Sequence, residues 1–242
     1  MNPNTATGPD NIAPRVLKAC AEHLVYIFCI VFNACFSTNT VPTTWKTACI
    51  VPIPKRPVIS SMNDLNPVAL TSAVMKVCER VVLCKLEKLV KDYIDPLQFA
   101  YRKNSTDDAV FYSHLEKTGS TVRLMFFDFS SAFNTIQPHL LVQKNVNMKL
   151  PSSVISWIFY YLTSRLHYVR LNGLLSSAIS TNTGTPQGTV LAPFLFALYT
   201  ADRRSTDGSC PLVKFADDTK LFGKICNDED ALYHKQIENF VN

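Results

Sequence analysis

The sequence predicts an α+β fold in which an antiparallel sheet is flanked by helices. Strand-length apolar runs and helical stretches alternate without regular βαβ spacing. Residues 212–222 (LVKFADDTKLF) read as two short apolar arms around an Asp-Asp turn, the pattern of a β-hairpin. Glycine is scarce, 7 in 242 residues, and no GxGxxG or P-loop string occurs, so the doubly wound nucleotide folds lose their signature.

Taken in order, Gly8-Pro9-Asp10 and Pro14 open a helix expected to run to about Phe36. Residues 47–53 (TACIVPI) have strand composition, and the prolines at 52, 54 and 57 place the lysine and arginine between them in a stiff exposed loop. From Thr71 to Tyr93, apolar residues at Val74, Cys78, Val81, Val82 and Leu89 repeat with a helical period. Residues 122–129 (VRLMFFDF) form a strand ending on an acid, followed by a helix-like SSAFNTI. Two further strands at 168–172 and 178–183 precede GTPQG at 184–188, and an apolar helix spans 190–199. One compact unit with subdomains is expected, because no linker, repeat or low-complexity stretch is visible.

The chain has 47% hydrophobic and 18% charged residues, which excludes an acidic or Ser/Pro-rich disordered class. Eight cysteines (20, 29, 35, 49, 78, 84, 210 and 226) lie mostly in apolar stretches without a CxxC pair and read as reduced, buried thiols. The longest apolar run, 24–32 (LVYIFCIVF), is half the ~18 residues needed to span a bilayer and reads as a buried helix segment. With no signal peptide either, an intracellular location without membrane partners is expected. Net charge is +5, and all of the excess falls between Pro42 and Lys103, where ten Lys/Arg face five Asp/Glu. A localised excess suggests a polyanionic partner, although Lys85, Lys88 and Lys91 alternate with Glu87 and Asp92 as a solvated helix face would.

Asp128 is out of place after five apolar strand residues. Buried alone it would cost several kcal/mol, so it belongs at the strand's exposed end, paired, or on a metal. Asp217 and Asp218 taken singly are ordinary turn residues. Together, carboxylates at the ends of neighbouring strands could hold two Mg²⁺ ions roughly 3.5–4 Å apart, the clamp used for in-line phosphoryl transfer.

Seven segments in order carry a resemblance to the reverse transcriptases of LINE-type non-LTR retrotransposons. FFDFSSAFNTI (126–136) is similar to that family's first palm motif, NTGTPQGTVLAPFLFALY (182–199) to the second and KFADDTKL (214–221) to its catalytic hairpin. GPDNIAPRVLK, VPTTWKTACIVPIPK, LNPVALTSAVMKVCERVV and DPLQFAYRKNSTDDA resemble its fingers segments. The resemblance implies a right-hand polymerase, with fingers over 1–110 and palm over 111–242, acting on an RNA template, a DNA primer and dNTPs. It further implies two Mg²⁺ ions, or Mn²⁺, bound by Asp128 and Asp217 with Asp218 adjacent, backbone amides of Phe129 and Ser130 on the phosphates, and Phe133 as the steric gate selecting dNTPs over ribonucleotides. Gln187 would contact the incoming nucleotide, Lys55 the triphosphate, and Arg56, Arg102 and Lys103 nucleic acid. A cytoplasmic and nuclear location follows from the same likeness.

The sequence departs from the family at three places. Asn66 stands where an arginine is expected before Pro67, removing a guanidinium clamp on the triphosphate. The segment between Arg102 and Asp128 is short. The thumb and endonuclease are absent, which suggests a truncated or decayed copy. The alternative reading is an inactive relic or co-opted domain that holds RNA through its basic region. RNA-dependent RNA synthesis is disfavoured by Phe133, and no HExxH or GxSxG string supports an unrelated hydrolase.

Overall fold

The computed structural model describes residues 2–100, 121–129, 131–205, 208, 210–225 and 230–241. They fall into two compact units between which the chain passes three times: residues 1–90 with 133–192, and residues 91–132 with 193–242.

In the first unit, α1 (Pro14–Ala19) and α2 (Ala21–Ser37) replace the single helix expected, because the chain leaves helical geometry at Cys20 (φ −99°, ψ 15°). The apolar run in α2 is helical but largely uncovered: Val25, Tyr26, Ile27 and Ile30 are exposed, while Phe32 and Cys35 are buried. One face is held by aromatic contacts, Phe32 against Trp45 and Phe36 against Trp157. After the short α3 (Thr43–Lys46), β1 (Ala48–Pro54) pairs antiparallel with β2 (Leu65–Thr71) and, through residues 48–50, parallel with β4 (Arg165–Leu171). The sheet is therefore mixed, and the crossover between its parallel strands takes more than a hundred residues. Pro52 lies inside β1 as expected and Pro54 joins it there rather than in the loop, both beyond the rungs shared with β4. A missing N–H is tolerated at such an edge.

Ser72 caps α4 (Ala73–Leu89), its hydroxyl accepting from Met75 N at 3.1 Å and donating to Asp10 at 2.5 Å. Gly8 lies against the Thr71–Ser72 backbone so closely that a Cβ would meet it at 2.5 Å. The GPD segment thus docks on α4 instead of opening α1. The helical period holds: Val74, Cys78 and Val82 are buried as expected, joined by Met75 and Leu86, whereas Val81 and Leu89 are exposed. Helices α5 (Pro138–Asn147) and α6 (Ser152–Leu162) follow, and a hairpin with Asn172-Gly173 at its turn joins β4 to β5 (Leu174–Leu175) before β6 (Ile179–Thr181) pairs with β4. The chain then enters α7 (Ala192–Tyr199).

The second unit holds the antiparallel sheet, in the order β3 (Thr121–Phe127), β8 (Asp218–Ile225), β7 (Leu212–Phe215). Cys210, Leu212, Leu221, Ile225 and Tyr233 form its core, joined by Phe127, Ile237 and Phe240, which brings α8 (Ala231–Val241) onto the sheet. Gly223 admits the Tyr233 ring, which any Cβ there would overlap at 2.2 Å. Burying each large side chain contributes about 1.5–3 kcal/mol. Among the described residues of SSAFNTI, 131–136, a 3₁₀ turn at Ala132–Asn134 follows Ser131 at φ 56°.

Cys35, Cys49, Cys78 and Cys210 are buried as expected, but Cys29 and Cys84 are exposed and Cys20 is half-buried; Cys226 lies outside the described residues. Burial pushes the Cys78 thiol up to about 12, which makes it inert.

Candidate active site

The ladder between β3 and β8 runs from Thr121↔Ile225 to Phe127↔Thr219. Asp128 directly follows that last rung on one strand and Asp218 directly precedes it on the other, and Asp218 pairs with Phe215 across the hairpin. Ala216 and Asp217 form the two-residue connection. The turn is therefore Ala-Asp, and Asp218 already belongs to β8. All three acids lie at one end of the same sheet, with Asp128 and Asp218 exposed and Asp217 half-buried. None of them makes an ion pair among the described residues. An all-oxygen set of this kind suits a hard divalent cation such as Mg²⁺. Among the described residues, however, no three His, Cys, Asp or Glu side chains are gathered as a metal-holding group. Like charges at close range repel.

Beneath the hairpin lies a buried polar set. The Gln98 side chain brackets one residue: its Nε2 donates to Ala216 O at 3.3 Å and its Oε1 accepts from Ala216 N at 3.1 Å and from Ala100 N at 3.1 Å. Backbone bonds from Phe99 N to Lys214 O and from Lys214 N to Leu97 O, both 2.8 Å, lay this segment along β7. Lys214 Nζ is buried, 2.7 Å from Asp95 Oδ2, and donates to Thr200 O at 2.9 Å just past α7. Burial lowers the Lys214 pKa, and the Asp95 carboxylate opposes that shift. The Phe129 ring packs edge-on against Phe196 and Phe240, at 5.7 and 6.3 Å between centroids.

Phe133, Gln187, Lys55, Arg56 and Asn66 lie in the first unit. The GTPQG loop docks onto the 3₁₀ turn through Gly184 N to Ile136 O and Thr185 N to Phe133 O, both 2.7 Å. Gly184 has φ 75°, and a Cβ there would meet Asn134 Cα at 3.0 Å and Phe133 O at 3.1 Å. Phe133 is half-buried and Gln187 exposed. Gln187, Gly184, Asn134, Ala69 and His167 are among the residues lining a cavity of about 340 Å³. Below the loop, fully buried Glu79 accepts from Tyr161 OH at 2.8 Å and from Val190 N at 2.5 Å; burial raises its pKa against the pull of these donors and of Arg165.

Lys55 Nζ donates to Asn63 O at 3.1 Å, and Arg56 pairs with the buried Asp64 carboxylate, so both cations are tied to their own loop. Asn66 is exposed and pairs with Ile53 in the β1–β2 ladder. Lys46 belongs to the interior, donating to Tyr160 O at 2.7 Å, which removes one charge from the basic excess. Arg102, Lys103 and Ser130 lie outside the described residues.

A profile of the family described as "Reverse transcriptase (RNA-dependent DNA polymerase)" matches residues 53–242. The chain belongs to the reverse transcriptase family. A "Probable RNA-directed DNA polymerase from transposon X-element" of Drosophila melanogaster is 28% identical over 242 residues, covering 94% of this chain and 26% of the relative. The "RNA-directed DNA polymerase from mobile element jockey" of the same organism is 23% identical, covering 90% of this chain and 26% of its own length. A type-1 retrotransposable element R2 polyprotein of Popillia japonica is also 23% identical, at 84% and 30% coverage. This reverse transcriptase domain, of the non-LTR kind, thus spans 26–30% of the length of these relatives. Apo telomerase from Candida tropicalis, truncated from its C-terminal domain, shares the fold at TM-score 0.56 and 12% identity, over 84% of this chain and 47% of that one. Among the described residues no helix is long and apolar enough to cross a membrane.

Two supports of this reverse transcriptase domain escaped the sequence reading, the Glu79 group under the loop and the Gln98 group under the hairpin. A lysine inside the strand LVKF and a glutamate on the apolar face of α4 were the available signals.

Proposed function

We propose that this domain carries out RNA-directed DNA synthesis, joining dNTPs to a primer 3′-hydroxyl on an RNA template. The reading is supported by the β3–β8 ladder, whose last rung, Phe127↔Thr219, adjoins Asp128 and Asp218, with Asp217 in the hairpin turn. Asp128 and Asp217 would hold two divalent ions, with Asp218 beside them. When bound, the ions supply a lowered pKa at the primer hydroxyl and charge neutralisation on the leaving pyrophosphate. The primer oxygen attacks the α-phosphorus as the bond to the β-phosphate breaks. Phe133 fills the space of a ribose 2′-hydroxyl, Gln187 contacts the nucleotide, and Lys55 and the amides of Phe129 and Ser130 meet the phosphates. Arg56, Arg102 and Lys103 contact the nucleic-acid backbone.

The test is extension of a labelled DNA primer on RNA with Mg²⁺ and dNTPs. Extension by the chain and its loss in Asp128→Asn and Asp217→Asn are expected. Extension that survives both substitutions refutes the assignment. RNA binding that weakens with salt, without any extension, favours the binding-module reading.

A further inference from the structure

We propose that Gln98 is a positioning residue for the acidic hairpin, its side-chain amide fixing the Ala216 peptide and so setting how Asp217 and Asp218 present to a divalent cation. The inference rests on the metal-binding reading above. Ala216 opens a two-residue hairpin connection at φ 60°, a left-handed conformation that L-residues avoid and that glycine ordinarily supplies at this position. Something must hold it there. Gln98 is 2% exposed and engages both polar groups of that residue, the N–H with Oε1 and the carbonyl with Nε2. Only an amide side chain of this length offers a donor and an acceptor together; glutamate would lack the donor and methionine both.

The platform under Gln98 is rigid. Its neighbours on either side hydrogen-bond to the Lys214 backbone. The Lys214 ammonium ties Asp95, three residues before Gln98, to the carbonyl that follows α7. Residues 95–100 therefore act as a splint along β7 that ends at the turn carrying the acids.

Mn²⁺ titration followed by paramagnetic resonance, with amide hydrogen exchange at Ala216, tests this on the full chain. Gln98→Met should weaken Mn²⁺ roughly 10–100-fold, as loss of an outer-shell hydrogen bond does, and speed exchange at Ala216. Adding Ala216→Gly should restore much of the affinity, because glycine holds the left-handed turn unaided. A merely structural Gln98 would lower thermal stability without that rescue. If wild-type Mn²⁺ binding disappears in Asp217→Asn yet is unchanged in Gln98→Met, the positioning role is refuted and the metal site stands. If neither Asp128→Asn nor Asp217→Asn affects Mn²⁺ binding, the metal site is refuted and this role with it.

Discussion

Gly184→Ala tests whether the GTPQG loop is held by backbone-to-backbone packing. An alanine at φ 75° costs about 1–2 kcal/mol, offset by about 0.4–1 kcal/mol from the stiffer unfolded chain. The new Cβ would also press on Asn134 Cα at 3.0 Å and Phe133 O at 3.1 Å, which are backbone atoms that cannot swing aside. Relief requires the loop to lift, weakening the Gly184–Ile136 and Thr185–Phe133 hydrogen bonds, each worth about 1 kcal/mol. The total is about 2–4 kcal/mol. Gly173→Ala supplies the control: its φ is 81° and nothing lies within 4 Å of its Cβ position, so only the conformational part remains, about 1 kcal/mol. For a chain of this size each kcal/mol moves the thermal midpoint by about 2–4 °C, so urea and thermal denaturation resolve the pair. Equal losses for the two variants would refute the close approach of loop and turn.

Glu79→Ala should destabilise by about 3–5 kcal/mol, since it leaves the Tyr161 hydroxyl and Val190 N–H buried without an acceptor; a urea-derived loss below about 1 kcal/mol would mean that water replaces the carboxylate. Asn66→Arg should lower the apparent dNTP KM roughly ten- to a hundredfold by restoring a charge-assisted bond, and equal KM values would show that position 66 does not face the triphosphate. Hydrogen bonds from Ser60 N, Ser60 Oγ and Ser61 N hold the Asp64 carboxyl below its ordinary value of 3.8. Because the folded value is depressed, the stabilisation is complete above 3.8 and fades as pH falls through the folded value. The difference in melting temperature between wild type and Asp64→Asn should shrink over that acid range, and a constant difference would contradict it.

Patterns of short range were legible in the sequence. The hairpin of β7 and β8 follows from two short apolar arms around acidic residues and is present, and Asp128, expected at an exposed strand end, paired or on a metal, is exposed just past β3. The helical period of α4 and most of its buried face were visible, but not the edges of that face, because Val81 and Met75 are equally apolar and only tertiary packing buries Met75. The parallel β1–β4 pair was illegible for a related reason: it joins residues more than a hundred positions apart, which no local pattern encodes. Gln98 and Glu79 look like surface residues by type. Their burial is intelligible only once the backbone groups they satisfy, Ala216 and Val190, are adjacent to them. Within the basic excess, Lys46 is buried and Arg56 is engaged by Asp64.

The most direct test of the central claim is a crystal structure of the chain with Mn²⁺, located by anomalous scattering. The account predicts manganese between β3 and the β7–β8 turn, as a pair of ions roughly 3.5–4 Å apart with carboxylate oxygens of both Asp128 and Asp217 as ligands. Manganese elsewhere, or Asp128 and Asp217 carboxylates more than about 8 Å apart in its presence, beyond what two bridged metals allow, would contradict it.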